Sequence, residues 1–208
     1  MAALMTKILF WSVFATVLAC IEIESEGKYG WADKAPTWYR TTGFWGRAYG
    51  MAMGGKPLTG YHAFMFFLPV MIFHVPFFMG VEWSIAAEFG AWALYFAWCP
   101  MWDYFWFVLN PAYKGKFKRE HIWWHAKSCW VGGLFPIDYL VGVVISIVFA
   151  GCATWFAGSS TRLIEHLILL GGFGVYTMML QVFAPLYRHW YAQMRKSDDR
   201  SKVTIFYR

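Results

Sequence analysis

Residues 57–81, PLTGYHAFMFFLPVMIFHVPFFMGV, form a run of 25 residues without Asp, Glu, Lys or Arg. Residues 139–161 and 167–187 form similar runs of 23 and 21 residues. A helix needs roughly 20 apolar residues to cross the hydrocarbon core of a bilayer. Charged residues make up 14% of the chain, against about 25% in a typical soluble domain. The sequence therefore predicts an all-α integral membrane protein.

The apolar runs predict five transmembrane helices in a single domain that occupies residues 1–208. We expect two long connections, 22–58 and 108–135, to lie along one membrane surface, because they combine Trp, Tyr and Gly with basic residues. Aromatic side chains are typical of the headgroup level, where an apolar ring and a polar atom are both accommodated. The five predicted spans are about 4–21, 59–80, 83–107, 136–158 and 163–187.

The distribution of positive charge predicts the orientation. With five spans, all of the 18 Lys and Arg residues except Lys7 and Arg162 fall on the side of the two connections and the C-terminal tail. Cytoplasmic segments carry the excess of Lys and Arg. We therefore expect an inner membrane of the bacterial type, with the C-terminus in the cytoplasm and the N-terminus outside.

Residues 1–20 have a second interpretation as a cleaved signal peptide, because a lysine, a short apolar run and small residues follow one another. Cleavage would place 22–58 outside the cell with its five basic residues. The positive-inside rule favours a retained first helix.

Ionisable residues within the predicted spans are candidates for function, because burying each in hydrocarbon costs about 2.5–3.5 kcal/mol on the insertion scale. His74 and Glu88 are each about six residues from the hairpin at residues 80–82, which joins the second and third spans. We expect them to form a buried pair. A hydrogen bond between helices is the simpler interpretation, and a proton relay or a ligand pair is the alternative.

A larger set is predicted at the opposite ends of the spans. His62 begins the second span, Asp103 lies near the end of the third, and Glu22 follows the first. The segment KREHIWWHAK, residues 118–127, adds His121 and His125, which a helix would place on one face. Imidazole and carboxylate ligands together suit iron, zinc or manganese. We thus predict a metal site formed by His62, Asp103, His121 and His125, with Glu22 as a catalytic residue. The alternative is that these are ordinary polar groups at the headgroup level.

The predicted function is a metal-dependent enzyme that acts on a lipid-like or other hydrophobic substrate at the cytoplasmic surface. The alternative is a structural or pigment-binding subunit of a larger membrane complex. A transporter is less favoured, because an apolar interval separates the two polar sets. We expect membrane lipids as partners, with other membrane subunits or further copies of the chain as candidates. Nucleic acid is not an expected partner, because the basic residues border apolar spans.

Overall fold

The computed structural model describes residues 2–114 and 116–198, which form a bundle of long helices. Arg200, Lys202 and Arg208, which contribute to the predicted positive charge of the tail, lie outside the described residues. The helices are α1 (Ala2–Glu26), α2 (Gly43–Ala52), α3 (Gly60–Phe78), α4 (Ile85–Leu109), α5 (Ile137–Ala157) and α6 (Thr161–Lys196).

The two long connections contain short elements. In the first, β1 (Tyr39–Arg40) pairs antiparallel with β2 (Leu58–Thr59). In the second, β3 (Trp130–Val131) pairs antiparallel with β4 (Phe135–Pro136). Three 3₁₀ turns precede β3, at Pro111–Tyr113, Arg119–His121 and Trp123–His125.

Four helices, α1, α3, α5 and α6, are long and apolar enough to cross a membrane. Helix α4 corresponds to the predicted third span, residues 83–107, and is not among these four. It contains four Trp, two Tyr, Glu88 and Asp103, and it packs against all four of the other long helices. A helix surrounded by protein needs less apolarity than one that faces lipid. The prediction of five spans is therefore confirmed only in part.

The outer surface of the bundle is apolar. Phe78 is 86% exposed, Trp155 83% and Val182 73%, and many other large apolar side chains on the four helices are also exposed. Exposure of so large an apolar surface to water would be unfavourable, whereas contact of the same surface with lipid is favourable. Helix α6, at 36 residues, is about 54 Å long, so it exceeds the roughly 30 Å hydrocarbon core.

Helix α4 is the centre of the packing. The indole of Trp98, which is fully buried, donates a hydrogen bond to the Trp11 carbonyl of α1 at 2.8 Å. Phe73 of α3 stacks on Trp11 with ring centroids 3.9 Å apart. These contacts join α1 both to α4 and to α3, so α1 belongs to the core of the bundle.

The buried residues of α1 follow helical periodicity. They recur every three or four positions, and this series continues to the end of the helix with Glu22, Ile23 and Glu26, while Glu24 is exposed. Side chains at this spacing share one face of a helix. The apolar stripe that packs against α4 therefore ends in two carboxylates that point inward.

Both long connections lie at the same end of the bundle. Asn110 donates a side-chain hydrogen bond to the Gly27 carbonyl at 2.7 Å, and the Tyr113 hydroxyl donates to the Lys28 carbonyl at 2.9 Å. Arg188 of α6 also donates to the Val108 carbonyl at 3.0 Å. This end of the bundle, where α1, α4 and α6 end and α3 and α5 begin, is called the connection end below.

The close approach of α1 and α6 depends on glycine. A Cβ atom added at Gly172 would lie 2.6 Å from the Ile8 side chain, whereas one added at Gly171 meets nothing within 4 Å. Small residues at such positions allow membrane helices to approach closely.

We expect Gly172→Leu to destabilise the bundle by about 1–3 kcal/mol, because the larger side chain forces α1 and α6 apart. Gly171→Leu is the matched control, since it adds the same side chain on the open side of the same helix. Thermal unfolding of the two purified variants in detergent measures the difference. Equal melting temperatures would contradict the packing described for this pair of helices.

Candidate functional site

A cavity of about 610 Å³ lies within the connection end, a size typical of ligand sites. Its walls come from α1, α3, α4 and α5, together with residues 52–56 and 124–128. Among the described residues, seven carboxylate, imidazole or ammonium side chains line it: Glu22, Glu26, Lys56, His62, Asp103, His125 and Asp138. The same cavity has an apolar part formed by side chains deeper in the bundle.

The imidazole of His125 lies between two carboxylates. Its Nε2 is 3.3 Å from Asp103 Oδ2, and its Nδ1 is 3.3 Å from Asp138 Oδ2. Asp103 belongs to α4, and Asp138 lies in the first turn of α5, where a negative side chain is favoured by the helix dipole. Ser128 donates to Asp138 at 2.7 Å, and the Tyr139 hydroxyl donates to Asp103.

These contacts decide the charge of His125. Burial by itself lowers the pKa of the imidazole, but the hydrogen bonds to Asp103 and Asp138 outweigh it, and the pKa is raised above its ordinary value. The nearby Lys56 opposes the rise. An imidazolium that donates from both nitrogens fits a position between two carboxylates.

A second carboxylate–imidazole pair joins α1 to α3. His62 Nε2 is 3.5 Å from Glu26 Oε1, while His62 Nδ1 is 2.9 Å from the hydroxyl of Thr59, the N-cap of α3. Glu26 Oε1 also accepts the Ala32 backbone N–H at 2.6 Å. Both side chains are about 5% exposed. Glu22 lies one helical turn before Glu26 and faces the same cavity.

The segment that covers this pair has a strained backbone. Trp31 and Ala32 are not glycines and have φ values of 46° and 52°, in the left-handed region that costs such residues about 1–2 kcal/mol each. In this backbone conformation the Trp31 ring stacks against His62, with ring centroids 4.2 Å apart. Gly30 precedes the strained residues and lies so close to Trp124 that an added Cβ would be 2.2 Å from that ring.

Lys56 contributes an ammonium group to the cavity. Its Nζ lies 4.6 Å from the centroid of the Trp31 ring, within range of a cation–π interaction. The residue is only 9% exposed, and burial lowers the pKa of its ammonium, an effect that the charges of Asp103 and Asp138 partly offset. Among the described residues, no ion pair within 4.0 Å involves Lys56.

The structure brings four of the five predicted inner residues to this cavity: Glu22, His62, Asp103 and His125. His121 is separate from them. It is exposed, and its nearest charged contact is the neighbouring Glu120 at 3.9 Å.

The expectation that His121 and His125 share one face of a helix within residues 118–127 is wrong. Ile122, with φ −121° and ψ 86°, separates two 3₁₀ turns, so His121 and His125 do not share a helix face. Ile122 and Trp124 are buried while Trp123 is exposed. Burial of these apolar side chains sets the local backbone and turns only the second histidine inward.

The residues do not form a ready metal site. No three His, Cys, Asp or Glu side chains within residues 2–114 and 116–198 are placed to hold one metal ion. Each nitrogen of His62 and His125 already contacts a side chain of the protein. A metal bound by His125 would have to displace one of its carboxylate contacts, so the metal centre stays a prediction.

A separate polar network lies at the other end of the bundle. His74 Nε2 is 3.1 Å from Glu88 Oε1, and Trp83 and Trp92 donate to Glu88 at 3.0 and 2.8 Å. Indole donors therefore share the carboxylate with the imidazole. His166 of α6 contacts the hydroxyl of Ser146 at 3.2 Å.

The site predicted from the sequence does not include several of the cavity residues, among them Glu26, Asp138, Tyr139 and Lys56. Helical periodicity carries the signal for Glu26, because it continues the buried stripe of α1. Asp138 is the first acid of an apolar helix and resembles an ordinary N-terminal charge. The sequence has no signal for Lys56, since a folded-back connection brings it to the cavity.

Comparison of the chain with protein-family models, with curated proteins and with solved structures finds no match. The function has to be inferred from the geometry of the cavity.

The raised pKa of His125 predicts a pH-dependent stability. The charged imidazole stabilises the fold fully below pH 6.5, the ordinary value, and this contribution is lost as the pH rises through the higher folded-state pKa. We expect the melting temperature in detergent to fall as the pH rises above 6.5. His125→Gln should be less stable at low pH and should lack this decline. A decline of the same size in that variant would contradict the assignment of charge to His125.

Proposed function

We propose that the protein is an integral membrane enzyme that transfers protons to or from a hydrophobic substrate bound in the cavity at the connection end. One observation carries the proposal: two carboxylate–imidazole clusters, Glu26–His62 and Asp103–His125–Asp138, line the same cavity. A single buried pair is adequately explained as a contact between helices. Two clusters around one space, together with Lys56, exceed what packing requires.

The two clusters differ in the roles that they can take. His125, held between two carboxylates, is suited to remain positively charged and to hold α4 and α5 together. The Glu26–His62 pair has one carboxylate and one imidazole, so a proton can reside on either side chain. Such pairs serve as general acids and bases, which typically accelerate a reaction by about 10²–10⁴-fold. Glu22 is proposed as the second proton-transfer group, because it faces the cavity from the same side of α1.

The metal-dependent form of this proposal uses the same residues. Asp103 and His125 would be the first ligands, with His62 and Glu22 as further donors, and the metal would be iron, zinc or manganese. A bound metal would supply Lewis acidity. Elemental analysis of the purified protein and of Asp103→Asn distinguishes the two forms. If Asp103 is a metal ligand, the wild-type protein contains stoichiometric metal and the variant loses it.

A pigment- or cofactor-binding subunit is the second candidate function. The observation in its favour is the number of aromatic rings around the cavity, where a flat ligand could stack: Trp31, Phe66, Tyr95, Phe96, Trp102, Trp106 and Trp124. A visible absorption band in the purified protein, together with co-purification of other subunits, would favour this function.

We further propose that α4 crosses the membrane as a fifth span, enclosed by α1, α3, α5 and α6. Its 25 residues correspond to about 37 Å, enough to cross the hydrocarbon core. The connection end would face the cytoplasm, in an inner membrane of the bacterial type, because both connections there are rich in Lys and Arg.

The proposed topology predicts that reporters fused after Lys56 and after Lys127 both behave as cytoplasmic, because both residues lie at the connection end. A reporter fused within the hairpin after Gly80 should behave as periplasmic and serves as the internal control. Alkaline phosphatase and a fluorescent protein that folds only in the cytoplasm give opposite readouts at each position. Periplasmic signals after Lys56 and Lys127 would contradict the proposed orientation and would indicate the opposite one.

The proposed chemistry predicts that Glu26→Gln and Glu22→Gln lower turnover by about 10²-fold or more, because the amide cannot exchange a proton. Glu24→Gln is the matched control, since Glu24 lies between them on the same helix and is exposed. Membranes that contain each variant are incubated with a lipid extract, and mass spectrometry follows the molecules that the wild type converts. Full conversion by Glu26→Gln and Glu22→Gln would contradict the acid–base assignment.

A further inference from the structure

We propose that the substrate is an elongated, uncharged molecule with one acceptor oxygen at its polar end, and that it enters from the bilayer between α3 and α5. This inference rests on the proposed function, because it names the substrate class of the same cavity. Three observations carry it: the charges around the cavity, the depth of its apolar part and the packing of α3 and α5.

The charges disfavour an anionic ligand. Four carboxylates line the cavity, from Glu22, Glu26, Asp103 and Asp138, against the cationic groups of Lys56 and His125. Asp103 and Asp138 are already engaged with His125, so an additional carboxylate or phosphate would lie among groups of its own sign. A cationic end group would be attracted by the carboxylates but repelled by the ammonium of Lys56, and it would leave the indole N–H of Trp106 without an acceptor.

Buried hydrogen-bond donors that lack acceptors indicate which chemical group the polar end of the substrate should carry. The indole N–H of Trp106 is buried and has no hydrogen-bond partner, and this residue lines the cavity. Lys56 also lines the cavity, and its ammonium contacts the face of the Trp31 ring. Buried donors are normally satisfied. A carbonyl, hydroxyl or ether oxygen of a ligand would satisfy them and would also be the atom that a general acid protonates.

The cavity continues from the acidic groups into the apolar interior. On α4 it extends from Asp103 back to Tyr95, and on α5 from Asp138 forward to Ile145. These intervals are eight and seven residues, or about 12 and 10 Å along a helix. Cys99 and Phe66 add further apolar surface. This part of the cavity is apolar along its length and suits a hydrocarbon chain.

The apolar part reaches the lipid-facing surface beside α5. Val141 lines the cavity and is also 47% exposed. Helices α3 and α5 both pack on α4, and among the described helices there is no extensive contact between α3 and α5 that would close the space. A hydrophobic molecule dissolved in the bilayer therefore has a lateral route to the polar end of the cavity.

Photolabelling in phosphatidylcholine vesicles tests the inference. Three probes share one long alkyl chain with a diazirine and differ only at the end group, which is a ketone, a carboxylate or a trimethylammonium. We expect the ketone probe to label α4 and α5 residues of the cavity more than the charged probes do, as measured by peptide mass spectrometry.

Ile145→Trp should reduce this labelling by about tenfold, because the added ring fills the apolar part of the cavity. Val144→Trp is the matched control, since Val144 is adjacent, exposed and outside the cavity lining. Labelling spread evenly over the lipid-facing residues, or equal effects of the two variants, would overturn the proposed binding mode. Preferential labelling by a charged probe would overturn the proposed end group.

The same probes separate this inference from the proposed chemistry. Labelling requires no turnover, so Glu26→Gln should be labelled like the wild type. Specific cavity labelling with turnover unaffected by Glu26→Gln would overturn the chemistry alone. Loss of turnover in Glu26→Gln without cavity labelling would overturn the substrate class alone.

Discussion

The position of His125 between Asp103 and Asp138 is the constraint on which the connection end depends. The three groups come from α4, from α5 and from the connection between them, and each imidazole nitrogen is 3.3 Å from one carboxylate. Charges in a poorly solvated place are costly unless they are paired. Because His125 satisfies both acids, the chain between α4 and α5 must fold back over the cavity instead of extending into solvent.

The need to pair polar groups in a poorly solvated place also explains the unusual composition of α4. This helix carries Asp103 and Glu88 and many indole and phenol side chains, and it is not among the four helices that are long and apolar enough to cross a membrane. It tolerates polar groups because the other helices surround it and provide their partners, as Trp11 does for Trp98 and His74 does for Glu88. The exterior of the bundle is then formed by α1, α3, α5 and α6, most of whose exposed side chains are apolar.

The cavity combines a polar end with an apolar end. Its polar end contains both carboxylate–imidazole clusters, and its other end is lined by apolar side chains that reach the lipid-facing surface at Val141. The strained backbone at Trp31 and Ala32 lies directly over the polar end. Strain of this kind persists only where the surrounding structure enforces it, and it is concentrated at functional sites.

The sequence by itself determined the membrane-protein class, the helical architecture and the end of the bundle where most ionisable groups collect, because long uncharged runs have few alternatives in a bilayer. It also indicated Glu22, His62, Asp103 and His125 as neighbours, since their positions in the chain place all four at the same end of the bundle. Only the tertiary structure separated His121 from His125, because burial of Ile122 and Trp124 prevents a continuous helix there. Only the tertiary structure brought Lys56 and Asp138 to the cavity, because the paths of the two connections depend on contacts between residues far apart in the chain.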